Sequence, residues 1–215
     1  MSSLPRPSQK GKILQAAVEC FAELGYDATR VRHVADRAGV SEAALYRHYP
    51  SMQALAQELF TQHFAGYADQ LNEATSTGTT EERLRRAIRT TLATYRADPA
   101  AFTFALLRTP ALLPNLPAGT RFPIEILERV IADGQRRREV RAGQPNLLAA
   151  IFLGCVLRPI ILAGAAEPGA LDLIGESRHD QVIEDSAVAA LRRETRGTGR
   201  GEHRGPGDER TDGAR

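Results

Sequence analysis

An all-α chain of about nine helices is predicted here by three observations. Apolar residues recur at three- and four-residue spacing through most of the 215 positions. Helix-capping residues stand where those runs begin, and no segment carries the alternation of a convincing strand.

The first helix is expected from about Ser8 to Leu24, where Ile13, Ala17 and Phe21 repeat beside Leu14 and Val18 until Gly25 ends the pattern. Thr29 or Arg30 opens a second, with Val31, Val34, Ala35 and Ala38 inside. Gly39 can take the left-handed conformation that closes a helix, Val40 fills the corner and Ser41 caps a third helix from about Glu42 to His48. Tyr49-Pro50 ends that helix, because a residue before proline avoids helical angles, and Ser51 caps a long fourth one carrying Leu55, Leu59, His63 or Phe64, Tyr67 and Leu71.

Thr79 and Glu82 form a capping box for a fifth helix with Leu84, Ile88, Leu92 and Tyr95 inside. Asp98-Pro99 opens a sixth, running through Phe102, Leu106 and Leu107, and prolines 110, 114 and 117 mark a loop. The seventh begins near Pro123 and carries Ile124, Leu127 and Ile131 to a basic end at Arg136 to Arg141, where the helix dipole favours positive charge. Pro145 opens the eighth. Gly175 precedes a last amphipathic helix, Asp180 to about Arg193, with Ile183, Ala187, Ala190 and Leu191 on one side. From Arg196 onward glycine and charge replace apolar residues, so 196–215 reads as a disordered tail; its glycine pattern is no phosphate loop, since neither strand nor helix flanks it.

Composition narrows the function classes. Cys20 and Cys155 lie far apart in apolar helical surroundings and read as reduced core residues, too few for a metal cluster. The N-terminus has no apolar stretch of signal-peptide length, which predicts a cytoplasmic protein. Leu147 to Ala166 approaches membrane-spanning length but carries Arg158 and Pro159 in its middle, so it reads as a core or interface helix, with no membrane partner. No histidine, cysteine or carboxylate constellation suits catalysis, and neither metal nor cofactor is expected.

Net charge is only +2, so placement matters more than total. Ala38 to Tyr49 has the form of a helix-turn-helix: Leu45 turns inward while Ser41, Glu42, Ala44, Arg47 and His48 are left to face outward, as reading a major groove requires. Arg47 can bond guanine acceptors, Glu42 can accept from cytosine, and Ala43 or Ala44 can meet a thymine methyl. Lys10, Lys12, Arg30, Arg32 and Arg37 surround the motif, and phosphate contact requires that Glu19, Glu23 and Asp27 lie on another face.

With the motif placed, the first 60 or so residues resemble the TetR family of bacterial transcriptional regulators. The matching positions are Ile13, Ala16, Ala17, Phe21, Gly25, Tyr26, Thr29, Val34, Ala35, Ala38, Gly39, Val40, Ser41, Leu45, Tyr46, His48, Tyr49, Ser51 and Leu55. The resemblance implies a DNA-binding head over 1–55, which takes in the start of a linking helix over 51–73, and a ligand-binding and dimerisation body over 56–195. It further implies a homodimer, a palindromic double-stranded operator and release by a small-molecule effector. Thr29, Tyr46 and His48 match family positions that bond phosphates. Two departures stand out: Ala43 replaces a frequent glycine, and Met52-Gln53 replaces a lysine and an acid.

For the body, Phe102, Phe104, Leu106, Phe122, Ile126 and Phe152 are candidate pocket lining, although a plain core has the same composition. Arg158, set in an apolar helix, can hold an acidic ligand, pair across a dimer or reach solvent. Ile151, Cys155, Ile183, Ala187 and Leu191 are the candidate dimer contacts on the last two helices. A ligand is expected to act by tilting the fourth helix.

Overall fold

The computed structural model describes residues 8–108, 110–165, 174 and 177–193. The tail at 196–215 and Gly175 lie outside them. Nine α-helices occur among the described residues: α1 Gln9–Leu24, α2 Val31–Ala38, α3 Glu42–His48, α4 Met52–Ala74, α5 Thr80–Ala97, α6 Pro99–Phe102, α7 Pro123–Arg136, α8 Pro145–Ala165 and α9 Asp180–Ala189.

Most starts follow the capping chemistry. The hydroxyls of Ser8, Ser41, Ser51 and Thr79 accept from the third backbone N–H of their helices, and Asp98 does the same for α6. The Thr79–Glu82 capping box closes in both directions. Two elements differ from expectation. The sixth helix is α-helical for four residues only, then widens into a π-helical turn, Thr103–Arg108, and a 3-10 segment, Pro110–Asn115. The ninth ends at Ala189, because residues 190–192 turn tightly so that Leu191 O accepts from Arg141 N–H. α8 continues through Pro159.

Two apolar clusters organise the chain. One gathers Ile13, Ala17, Phe21, Val34, Leu45 and Tyr49 from α1 to α3. It extends past residue 55 to Leu59, Phe60 and Phe64 of α4, and to Ala101, Phe104 and Leu112 beyond α5. The other joins Tyr67 and Leu71 of α4 to Leu84, Ile88, Leu127, Ile131, Phe152 and Val156 of α5, α7 and α8. Ile183, Ala187 and Leu191 fill the same second cluster, so the apolar side of α9 faces inward.

Ion pairs hold α9 on α5. Glu184, 3% exposed, accepts from Arg89 Nε at 2.7 Å and Nη2 at 2.9 Å, and from Arg85 at 3.4 Å. Arg96 grips both oxygens of Asp180. Where α4 ends, Arg83 bonds Thr75 O and Asp133. Glu139 accepts the Thr80 N–H at 3.2 Å and so caps α5 from the α7–α8 connection; the Thr80 side chain first, and then that N–H, hold its carboxyl below the usual range.

Gly134 is required for this closure. A Cβ there would sit 2.6 Å from the methyls of both Thr80 and Val140. Gly134→Ala is expected to cost about 1–3 kcal/mol through overpacking, read as a lowered urea midpoint with unchanged slope.

Candidate nucleic-acid interface and body cavity

The turn between α2 and α3 is built from backbone. Gly39 sits at φ 65°, ψ 39°, and the Val40 N–H reaches back to Ala35 O at 3.0 Å. Val40 packs half-buried against the head core. Ser41 Oγ then accepts from Ala44 N–H at 3.1 Å. With Leu45 fully buried, α3 leaves Glu42, Ala43, Tyr46, Arg47 and His48 exposed on one small surface.

Two expected contact residues face inward. Ala44 is 4% exposed because it lies beside Leu45 on the packed side, leaving Ala43 as the outward methyl. Thr29 is buried, and its hydroxyl donates to Gly25 O at 2.7 Å, with Cys20 O at 3.2 Å. Its N–H is also bonded, to Gly25 O and Tyr26 O, so Thr29 locks the α1–α2 corner.

The cations divide by role. Arg37 meets Glu23 at 2.6 Å and Glu19 at 3.8 Å, joining α2 to α1; its hydrogen bond holds the Glu23 carboxyl below the ordinary range. Lys10 is paired with Glu58 at 2.8 Å and lies 5.5 Å from the centre of the Tyr49 ring. Arg30 bonds Asp27 O, while its N–H donates to His33 Nδ1. His48 Nε2 is 3.3 Å from Gln9 Oε1, tying the end of α3 to the start of α1. Arg32 and Arg47 are exposed. Met52, where the resembled family has lysine, packs against the head core.

α8 and α9 present an apolar outer face. Leu147, Ile151, Ile161 and Leu162 of α8 are 40–59% exposed and Val182 of α9 is 64% exposed. Among the described residues the only other large apolar side chains so exposed are Leu24 and Tyr46. Cys155 is half-buried beside this face. Ile183, Ala187 and Leu191 are not on it, since α9 and the turn after it bury them in the body cluster; Val182, Ser186 and Ala189 are exposed instead. Periodicity finds the buried side of a helix but not the side that a second chain would cover.

The body carries a partly open apolar cavity of about 220 Å³ lined by Phe64, Tyr67, Phe102, Leu106, Leu113, Phe122, Pro123, Ile124, Leu153 and Leu157. Phe102, Leu106 and Phe122 were expected there. Phe104 is stacked in the head cluster, while Ile126 and Phe152 are body core. Arg158 is exposed on α8 and lines no part of the cavity: one step on from Leu157 turns a helix by about 100°. Leu113 was hidden by its place in a proline-rich loop without periodic signal, and Phe64 and Tyr67 by reading as ordinary core.

Among the described residues Tyr67 brings the only polar side-chain atom of that lining. Its oxygen is 2.8 Å from Thr91 Oγ1, whose own proton goes to Ala87 O, so the phenol is the donor to Thr91. Burial pushes its pKa up to about 12.

Residues 13–59 match the model of the bacterial regulatory proteins of the tetR family. Over 86 residues the chain is 37% identical to the HTH-type transcriptional activator FasR of Mycolicibacterium smegmatis, covering 40% of this chain and 39% of FasR. Over 82 residues it is 38% identical to the transcriptional repressor KstR2 of Mycobacterium tuberculosis H37Rv, covering 36% and 40%. The matched stretch thus spans about two fifths of either relative. The fold is similar to that of AibR in complex with isovaleryl coenzyme A and operator DNA, with 21% identity, TM-score 0.66, and coverage of 86% of this chain and 98% of that one.

The Tyr67 shift has a signed consequence. Because the folded-state pKa is raised, the stability it contributes is complete below pH 10 and is lost as pH rises through about 12. The two-unit shift corresponds to about 3 kcal/mol at most. One of the five tyrosines is expected to ionise last in an absorbance titration, and Tyr67→Phe to flatten the stability loss over that window.

Proposed function

We propose that this chain, a member of the tetR family of bacterial regulatory proteins, acts as a cytoplasmic homodimer that binds a palindromic operator and is released by a small molecule held in its body. The observation that carries the reading is the capped α3, whose exposed surface consists of Glu42, Ala43, Tyr46, Arg47 and His48. Arg47 and Glu42 offer a donor fork and an acceptor to base edges, and the Ala43 methyl can meet thymine. In this reading Tyr46, His48, Arg30 and Arg32 meet phosphates, which fix register without reading sequence.

A single head offers one short helix to one groove. Pairing α8 and α9 with those of a second copy would cover Leu147, Ile151, Ile161, Leu162 and Val182 and set two heads in successive major grooves, about 34–36 Å apart or a multiple of it. The cavity beside α4 is the effector site in this reading, supported by its position against the helix shared by both clusters. Repression is the primary reading. Activation is the second, favoured by the similarity of the head to FasR.

Selection of bound sites from random DNA at stated salt is expected to enrich an inverted repeat; transcription from a promoter carrying it gives the sign. Absence of any enriched motif would falsify the reading. Arg47→Ala is expected to cost about 1–3 kcal/mol and to relax preference at one base pair per half-site. Ile151→Asp, which puts a charge on the outer face of α8, is expected to yield monomers in sedimentation and to abolish binding to the selected duplex.

A further inference from the structure

The end of the body remote from α3 carries a concentration of arginine. Arg136, Arg137, Arg138 and Arg141 lead out of α7, Arg192 and Arg193 follow α9, and all six are exposed. The backbone lays the two segments side by side: Val140 and Arg192 form an antiparallel bridge, and the Arg141 N–H donates to Leu191 O at 3.0 Å. Arg138 and Arg193 line one open concavity with Gln135, Val140, Ala142 and Gly143. The acids nearby are engaged: Asp133 by Arg83 and Arg136, Glu81 by Arg85, and Glu139 by the Thr80 N–H. The side chains of Arg138, Arg141 and Arg193 are in no ion pair among the described residues.

The dipole of α7 favours Arg136 and Arg137, but that effect fades beyond the last turn. Arg138 goes against the backbone. The helix closes in a Schellman arrangement, with Glu139 N–H donating to Gly134 O at 2.8 Å and Arg138 N–H to Gln135 O at 3.0 Å, which holds Arg138 at φ 61°. Glycine takes that conformation without a Cβ clash, as Gly39 does after α2. Arg138 is the only non-glycine residue with positive φ among the described residues. The turn itself is better served by glycine, so what the position supplies is the guanidinium.

The α1–α3 cluster packs on the first half of α4, whereas these arginines adjoin the turn that follows α4, where Arg83 bonds Thr75 O and Glu139 caps α5. One length of α4, about 34 Å, separates them, so a straight duplex lying under α3 passes them by. Beyond Arg193 the sequence continues with Arg-Gly pairs at 196–197, 200–201 and 204–205, and 196–205 holds one acid, Glu202. Guanidinium forks bond phosphate oxygens two at a time. No aromatic residue occurs in 128–147 or 187–202 to stack on an unpaired base, so the chemistry suits a duplex backbone.

We propose that this surface holds the phosphate backbone of a second DNA segment without reading its sequence, so that a dimer seated on its operator through α3 bridges two stretches of DNA. The proposal rests on the operator reading and adds a second partner at the opposite end of the molecule. DNA flanking the operator is tethered to it, and that high effective concentration is what a weak contact to phosphates alone requires.

For the test, the full-length protein saturates an immobilised duplex carrying the selected inverted repeat, and a labelled duplex of about 30 base pairs lacking the repeat is added over a series of salt concentrations. The labelled duplex is expected to be retained at low salt and released as salt rises. Combining Arg138→Gly, Arg141→Ala and Arg193→Ala is expected to leave operator binding within about twofold, to weaken retention at least tenfold and to lower the salt slope by about one for each arginine removed. Arg138→Gly alone is expected to raise the urea midpoint while weakening retention. Retention no greater than on the bare immobilised duplex, or unchanged in the triple variant, overturns the proposal. So does displacement of the label by single-stranded RNA or by phosphatidylglycerol vesicles but not by unlabelled duplex. A lowered midpoint in Arg138→Gly overturns it too, because the side chain then serves the fold. If no inverted repeat is enriched, the operator reading fails on its own; the salt series on free protein then reads the surface alone, and an unchanged slope in the triple variant rejects it.

Discussion

Everything in this molecule hangs on the double burial of α4. Its first half contributes Leu55, Leu59, Phe60 and Phe64 to the cluster around α1, α2 and α3, and its second half contributes Tyr67, Ala68 and Leu71 to the body. A helix of 23 residues is about 34 Å long. Neither half can shift without disturbing closely packed side chains, so the two clusters share one mechanical element. The cavity lies where they meet, with Phe64 and Tyr67 in its wall.

Charge follows a similar logic of commitment. The chain is rich in arginine, but much of it holds helices together: Arg37 on α1, Arg83 at the end of α4, Arg85 and Arg89 on Glu184, Arg96 on Asp180. That is why a net charge of +2 says so little about partners. Exposed pairs of this kind contribute little individually, but Glu184 is buried, so its hydrogen bonds specify where α9 sits. Arg32 and Arg47 are exposed on the head instead.

The head and most helix starts were legible in the sequence because their geometry is local. Gly39, Ser41, Ser51, Thr79 and Asp98 act on backbone within a few residues of themselves, and each does what its type and position imply. What escaped was set by distant partners. Nothing near Phe104 in sequence says that it stacks on Phe21, 83 positions earlier, so it reads as pocket lining when it is head core. Thr29 and Ala44 carry the motif's spacing yet turn inward, because the corner carbonyls and the α3 packing face claim them. On α9 the apolar periodicity that marks Ile183, Ala187 and Leu191 reports burial within the chain, and only the packed structure shows Val182 on the other side.

The outer face of α8 carries one further consequence. With Leu147, Ile151, Ile161 and Leu162 turned to water, a solitary chain is a poor solute, and mass action governs how much of it persists. If a paired form is the one that binds DNA, as proposed above, its amount falls with the square of the amount synthesised when chains are scarce, and occupancy of its target would respond to the rate of synthesis more steeply than in proportion, a threshold set by concentration alone.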